Sequence, residues 1–282
     1  SLFGNSISMS SVTSKGTDGT ISVSPRDEAS QSATMIIAHG LGDTADGFED
    51  VAEQLARQFP YVKFILPTAT RRKVTINMGA VMPSWYDITG IDERSAEQCD
   101  GIDESRDRIL QIIEQEVSRG VPYNRIVLCG FSMGGALSLF TGLQIEVHKR
   151  VAGIVCLSGY LPAASSFKLT AGLEDLPVLH CHGTSDPMVQ YSMAEKTRDK
   201  IVGHGATKYV LKGFPCQHTV VPQELAEVVQ FLTGVIPPAQ GCVKVKSPKE
   251  MSVKELKAAV RNAGIARQAL GFYEKAEFVK LL

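Results

Sequence analysis

The sequence predicts an α/β protein: a mostly parallel sheet with helices on both faces, followed by a small helical appendage at the C-terminal end. Three observations predict it. Short apolar runs alternate with stretches of helical spacing through most of the 282 residues. Such alternation is expected of βαβ units, whose crossover helices cover both sheet faces and leave the strands apolar throughout. A Gly-Phe-Ser-Met-Gly turn at 130–134 joins one apolar run directly to a helical one. Finally, the prolines of VIPPA (235–239) end the alternation, and the composition changes behind them.

Taken in order, residues 1–19 are rich in Ser, Thr and Gly and read as a flexible tail. TMIIA (34–38) reads as a buried strand, residues 48–59 as an amphipathic helix and 62–66 as the next strand. Ile102, Ile109, Ile112, Ile113 and Val117 recur at helical spacing, so residues 102–117 form a helix. RIVLC (125–129) is a strand that runs into a helix over 133–143. Residues 151–157 and 177–182 are strands, 193–202 and 223–232 helices, and 209–211 a strand between those two helices. A main body over 20–240 follows, with no internal repeat. Residues 241–250 then read as a basic linker. Ser252 and Glu255 form a capping box for a helix over 252–263, which Gly264 ends, and residues 274–282 form a second helix.

Hydrophobic residues are 44% and charged residues 21%, the balance of an ordinary globular protein. A net charge of −1 excludes steering of the whole chain onto nucleic acid or an anionic membrane. The charge is uneven, however. Residues 241–282 hold nine Lys/Arg and four Glu, a net of +5, so the remainder carries −6. The six cysteines form no CxxC pair, and several sit in apolar runs, as buried reduced thiols do. The polar start lacks the apolar core of a secretory leader, and the longest apolar stretch, 151–164, is too short for a bilayer. A cytoplasmic protein is expected.

By itself the G-x-S-x-G pattern says little in a chain with 25 glycines. Between an apolar strand and the helix opening GGALSLF it has a physical meaning. The turn is sharp, flanking glycines let backbones approach, and the hydroxyl of Ser132 is lifted above the sheet. The helix start beyond it offers unpaired N–H groups to a developing negative charge. A hydroxyl needs a base to become a nucleophile. With strand–turn–helix context, the chain order is serine, acid, histidine. Asp186, just past the strand 177–182, is the candidate acid. Asp175 precedes that strand, at the wrong end of the sheet, and Asp199 belongs to a solvated helix face. His218, in a late loop, is the candidate base. His39 lies before the turn, His180 and His182 lie on or beside a strand, and His148 and His204 read as surface helix ends. The Gly loop after the first strand, HGLGD (39–43), can aim the Leu41 N–H at the same oxyanion as the Met133 N–H. No Walker A pattern, G-x-G-x-x-G after a strand, H-E-x-x-H or zinc-spaced Cys/His cluster is present, so no metal, nucleotide or other cofactor is expected.

Several segments in order resemble the acyl-protein thioesterase/lysophospholipase family of small serine hydrolases, with the α/β-hydrolase fold. They are HGLGDT (39–44), Pro67 and NMGAVMPSWYDI (77–88), RIVLCGFSMGGALSL (125–139), LSGYLP (157–162), CHGTSDPMV (181–189) and FPCQH (214–218). The resemblance implies Ser132, Asp186 and His218 as the triad, and Leu41 and Met133 as backbone oxyanion donors. Family members commonly carry Gln where this chain has Met133; a backbone donor survives that change, and the pocket becomes more apolar. By resemblance, Met78, Val81, Met82, Trp85 and Tyr86 line an acyl channel. The implied activity is hydrolysis of long-chain acyl thioesters on protein cysteines, with lysophospholipids or simple carboxylesters as the alternative substrates. A transient contact with the membrane surface is compatible with this. The C-terminal segment is similar to two-helix SAP-like modules, some of which bind nucleic acid and others proteins; a protein partner is the expectation here. Another class of function remains open on sequence alone, a docking protein that uses this basic module. So does a solvated helical appendage.

Overall fold

The structure, a computed structural model, describes residues 11–90, 97, 99–244, 247–262 and 265–282. The helix-ending role expected of Gly264 and the first ten residues of the expected tail lie outside the described residues. An eight-stranded sheet organises the body. Its strands are β1 (Ser11–Lys15), β2 (Ile21–Pro25), β3 (Ala33–Ala38), β4 (Val62–Leu66), β7 (Ile126–Phe131), β8 (Gly153–Leu157), β9 (Val178–Gly183) and β10 (Tyr209–Phe214). A separate antiparallel pair, β5 (Arg71–Val74) and β6 (Ala80–Pro83), makes a small hairpin. The order across the sheet is β1-β2-β4-β3-β7-β8-β9-β10. All pairs from β4 to β10 are parallel, and β1 and β2 are antiparallel additions at one edge.

Every residue of β3, β8 and β9 is buried, as expected where helices cover both faces. Alternate side chains feed two cores. Ile36, Ala38 and Leu128 pack with helices α2 (Ile102–Arg119), α3 (Met133–Leu143) and α4 (Tyr191–Gly203). Met35, Ile37, Val127 and Cys129 pack with α1 (Glu49–Gln58) and α5 (Pro222–Val235) on the other face. Burial pushes the Cys129 thiol up to about 12, and Cys156 and Cys181 are likewise raised by burial. Among the described residues no cysteine is in a disulfide.

The flexible tail expected over 1–19 is corrected in part. Ser11–Lys15 pairs in full antiparallel register with Ile21–Pro25. The edge position explains the polar sequence: SVTSK needs no apolar face, because its residues are half-buried or exposed.

At the amino ends of the strands a polar cluster surrounds the buried carboxylate of Glu116. Glu116 accepts from Gln31 (2.8 Å), Thr34 (2.8 Å), Lys63 (2.7 Å) and Arg119 (2.8 Å). Burial would raise this carboxyl; Lys63, Arg119 and the hydrogen bonds overcome it and hold it at about 2.

Behind the proline break, Cys242 N–H donates to Gln31 O (2.9 Å) and Lys244 N–H to Arg119 O (2.7 Å). The start of the expected linker is thus laid along the body. α6 (Val253–Asn262) opens on the expected capping box, Ser252 N–H to Glu255 Oε2 (2.6 Å) and Glu255 N–H to Ser252 Oγ (3.2 Å). With α7 (Lys275–Leu281) it encloses a small core of Leu256, Val260 and Phe278.

Candidate active site

The register decides where the loops meet. Ala38 pairs with Gly130, Phe131 with Leu157, Leu157 with Cys181, and Gly183 with Phe214. The loops after β3, β7, β9 and β10 therefore leave the sheet at one edge, the carboxyl ends of parallel strands. β3 and β7 lie where the order reverses, with β4 on one side and β8 on the other. Open α/β sheets bind ligands in the crevice at such a switch point.

Ser132 sits between β7 and α3 at φ 53°, ψ −118°, a backbone that non-glycine residues rarely adopt. Its N–H donates to Leu157 O (2.8 Å) and its carbonyl accepts from Ala136 N–H (3.0 Å), so both neighbours hold the bend. The flanking glycines are required by contact. A Cβ on Gly130 would lie 2.1 Å from the Gly134 backbone, and one on Gly134 would lie 2.0 Å from Ala38 O. The tight bend therefore rests on β3 as well as β7.

The acid side is equally constrained. Asp186 has a fully buried side chain. Its Oδ1 accepts from Met188 N–H (2.8 Å) and Val189 N–H (2.9 Å), and its Oδ2 accepts from His218 Nδ1 at 2.6 Å. Gly183 lets the two loops close up, because a Cβ there would lie 2.5 Å from the carbonyl oxygens of both Cys216 and Gln217. Thr184 N–H to Phe214 O (2.7 Å) and Ser185 N–H to Cys216 O (3.1 Å) stitch the loops together. The Phe131 ring packs at 4.7 Å on the His218 ring and limits its tilt.

The Gly loop is built by His39. Ala69 N–H donates to its Nε2 (2.9 Å), so Nδ1 carries the proton and donates to Gly40 O (2.7 Å). Burial lowers the pKa of His39, which keeps that tautomer neutral. Gly40 passes close to the bend: a Cβ there would lie 3.2 Å from the Phe131 ring and 3.6 Å from Ser132 Cβ. Among the described residues no acceptor meets the backbone N–H of Leu41 or of Met133, the first residue of α3.

Ser132, His218, Leu41 and Met133 line one cleft of about 310 Å³, together with Gly40, Asp43, Asn77, Ile88, Phe131, Tyr160, Met188 and Val189. No hydrogen bond joins Ser132 Oγ to His218 among the described residues; such bonds often tighten only when substrate is bound. With Nδ1 held by Asp186, Nε2 is the ring nitrogen left for the cleft.

The other acidic and histidine candidates lie elsewhere. Asp175 pairs with Arg150 and Asp199 with Arg198. His148 and His204 are exposed, and His180 and His182 are wholly buried.

The expected acyl-channel residues need correction: none of the five is in the wall of this cleft. Trp85 and Tyr86 are core residues. Trp85 Nε1 donates to His39 O (2.8 Å) and so props the Gly loop from behind, while the Tyr86 hydroxyl bonds that of Tyr160 (2.8 Å). Met82 is half-buried and accepts from Asn77 Nδ2 through its sulfur (3.1 Å). Met78 and Val81 are exposed on the β5–β6 hairpin. Sequence reasoning missed Ile88, Phe131, Tyr160, Met188 and Val189 as cleft residues. Met188 and Val189 were inside the quoted CHGTSDPMV segment, but nothing in their residue types signals a backbone donor.

Among the described residues, no cluster of three or more His, Cys, Asp or Glu could hold a metal ion, and no helix is long and apolar enough to cross a membrane.

A family profile described as phospholipase/carboxylesterase matches residues 20–236. Acyl-protein thioesterase 1 of Mycosarcoma maydis is 36% identical over 235 residues, 77% of this chain and 97% of that protein. Acyl-protein thioesterase 1 homolog 1 of Dictyostelium discoideum is 35% identical over 210 residues, 73% of this chain and 92% of that protein. Among solved structures, acyl-protein thioesterase 2 of Zea mays superposes with a TM-score of 0.67 at 26% identity, covering 77% of this chain and 98% of that one. Arabidopsis thaliana SOBER1 superposes with a TM-score of 0.63 at 28% identity, over 72% of this chain and 99% of that one.

Proposed function

Because this chain belongs to the phospholipase/carboxylesterase family and is a serine hydrolase of the α/β-hydrolase fold, we propose that it removes long-chain acyl groups from protein cysteines, through an acyl-enzyme on Ser132. One observation carries the assignment of roles. A strained serine, an imidazole tied to a buried carboxylate and two N–H groups that meet no acceptor among the described residues border the same cleft.

In the first step the Ser132 oxygen attacks the thioester carbonyl as His218 Nε2 takes its proton. The Leu41 and Met133 N–H groups hold the oxyanion, and the carboxylate of Asp186 stabilises the imidazolium and fixes its Nδ1–H tautomer. The C–S bond breaks, and the departing thiolate takes the proton from His218. Water then adds to the acyl-enzyme with His218 as base, the C–O bond to Ser132 breaks, and the fatty acid leaves. The apolar walls supplied by Leu41, Ile88, Phe131, Met188 and Val189 suit a hydrocarbon chain.

The same tetrahedral chemistry cleaves esters, so substrates decide the class. Steady-state turnover of an S-palmitoylated peptide, a lysophospholipid and a short chromogenic ester is the test. The palmitoyl thioester is expected to have the highest kcat/KM. A tenfold preference for either ester would make the enzyme a carboxylesterase or lysophospholipase.

Substrates of this kind sit at membranes, and the β5–β6 hairpin suits a transient contact. Met78 is 99% exposed and Val81 52% exposed, and the exposed Arg71 and Lys73 lie on the facing strand of the hairpin. An apolar tip among cations matches an anionic surface. The catalytic body runs from β1 to about residue 240, and the two-helix unit behind it serves as a protein-docking module. Six cysteines outside any disulfide suit a reducing compartment such as the cytoplasm.

A further inference from the structure

Behind the acid loop lies a chain of buried hydrogen bonds that the steps above do not use. His180 and His182 stand two residues apart on β9 and point to the same side of the sheet. Both are wholly buried. His182 Nε2 lies 2.7 Å from Val189 O, His182 Nδ1 lies 3.2 Å from His180 Nε2, and His180 Nδ1 lies 2.7 Å from the Tyr209 hydroxyl.

The proton positions follow from one end. A carbonyl oxygen only accepts, so His182 Nε2 must carry the proton it donates to Val189. In a neutral ring Nδ1 then accepts, which requires His180 Nε2 to donate. His180 Nδ1 is left as an acceptor, and the Tyr209 O–H donates to it. Neutrality fits the burial: desolvation lowers His182 and brings His180 down to about 3. The whole chain therefore runs in one direction, Tyr209 to His180 to His182 to Val189.

Val189 is the link to the cleft. Its carbonyl is held by His182 and its N–H donates to Asp186 Oδ1, beside that of Met188. Asp186 Oδ2 also lies 3.5 Å from His182 Nε2. We propose that His182, with its tautomer set by the Val189 carbonyl and its Nδ1 supported by His180 and Tyr209, is a positioning residue for the acid. It holds the 188–189 backbone so that Oδ1 stays capped and Oδ2 stays on His218. This rests on the reading of Asp186 and His218 as orienting acid and base.

The test compares His182→Phe, Tyr209→Phe and His218→Ala in the full chain, by kinetics and by proton and nitrogen NMR with labelled histidine. Tyr209→Phe keeps the ring packing and removes only the donor, so it remains informative if His182→Phe folds poorly. In the unmodified protein His180 and His182 are expected to be neutral with the proton on Nε2. The downfield Nδ1–H signal of His218, bonded to Asp186, is expected to be sharp. In His182→Phe that signal shifts upfield or broadens, and kcat falls about tenfold or more with KM within twofold, the effect of losing one buried hydrogen bond that holds the reacting groups. Tyr209→Phe leaves the His182 tautomer on Nε2 but takes the donor from His180 Nδ1, loosens the support behind His182 and gives a smaller loss of kcat.

Three results would overturn the proposal: His182 protonated on Nδ1, wild-type kcat in His182→Phe, or lost activity with the His218 signal unmoved. The last would mean a structural role only. An inactive His218→Ala beside an unaffected His182→Phe sinks this inference alone. An active His218→Ala sinks the assignment of the base and this inference with it.

Discussion

Replacing Asp186 by Asn changes one atom and should silence the enzyme, for a reason fixed by two backbone groups. Oδ1 of Asp186 accepts from Met188 N–H at 2.8 Å and Val189 N–H at 2.9 Å. In the Asn variant those two donors select the amide oxygen for that position, because the flipped amide would set donors against donors. The NH2 group then occupies the place of Oδ2, 2.6 Å from His218 Nδ1. Nδ1 must accept, so the proton moves to Nε2, and Nε2 can no longer take a proton from Ser132. The size of a wrong-tautomer effect of this kind is about 10⁴ in kcat, roughly 5 kcal/mol of barrier. KM should stay within a few-fold, because the Asp186 side chain is buried and not in the cleft wall. The fold should hold, since both backbone hydrogen bonds to residue 186 survive. Stopped-flow turnover of a chromogenic ester, with a thermal melt as the control for folding, measures this. A variant within tenfold of wild type would refute both the role of the acid and the orientation deduced for the amide.

The remaining predictions concern the scaffold. Glu116 is held at about 2 against an ordinary 4.5, so its contribution, about 3 kcal/mol, is full above pH 4.5 and lost as pH falls through about 2; urea midpoints of wild type and Glu116→Gln should differ most near pH 7 and converge in acid. Gly134→Ala sets a methyl 2.0 Å from Ala38 O, a backbone atom that cannot swing aside. It should cost about 3 kcal/mol or more and lower Tm by about 6 °C or more, with loss of turnover; a wild-type Tm would contradict the close approach of α3 to β3. Ser132→Gly relieves the bend at φ 53°, ψ −118° and should stabilise the inactive protein by about 1 kcal/mol, read as a higher Tm. An unchanged or lower Tm would show that the bend carries no strain.

The parallel part of the sheet was legible because burial on both faces leaves a plain mark, and runs such as TMIIA and RIVLC carry it. β1 and β2 were not. SVTSK has no apolar side to betray it, and ISVSP alternates over too few residues to stand out from a turn-rich start. The β5–β6 hairpin escaped for the same reason, since its outer residues face solvent. At the site, chain order and loop position singled out Ser132, Asp186 and His218, and the fold sets Ser132 and His218 on one cleft with His218 bonded to Asp186. Contacts made by backbone were not legible. Nothing in the types of Met188 and Val189 announces donors to Asp186, and only coordinates reveal that Gly183 lets two loops touch. The misplacement of Trp85 and Tyr86 has a different cause. Aromatic residues next to a cleft and aromatic residues behind its wall look alike in sequence, and here they are behind it: Trp85 props the 39–43 loop through His39 O and Tyr86 bonds the Tyr160 hydroxyl.

The most direct measurement is the mass of the enzyme during turnover. Mixing with a palmitoyl thioester and quenching in acid before steady state, followed by peptide mapping, should find one palmitoyl group on the peptide bearing Ser132, and none in Ser132→Ala, which should be inactive. Turnover by Ser132→Ala, or an acyl group carried on Cys216 instead, would contradict a nucleophile at the bend between β7 and α3.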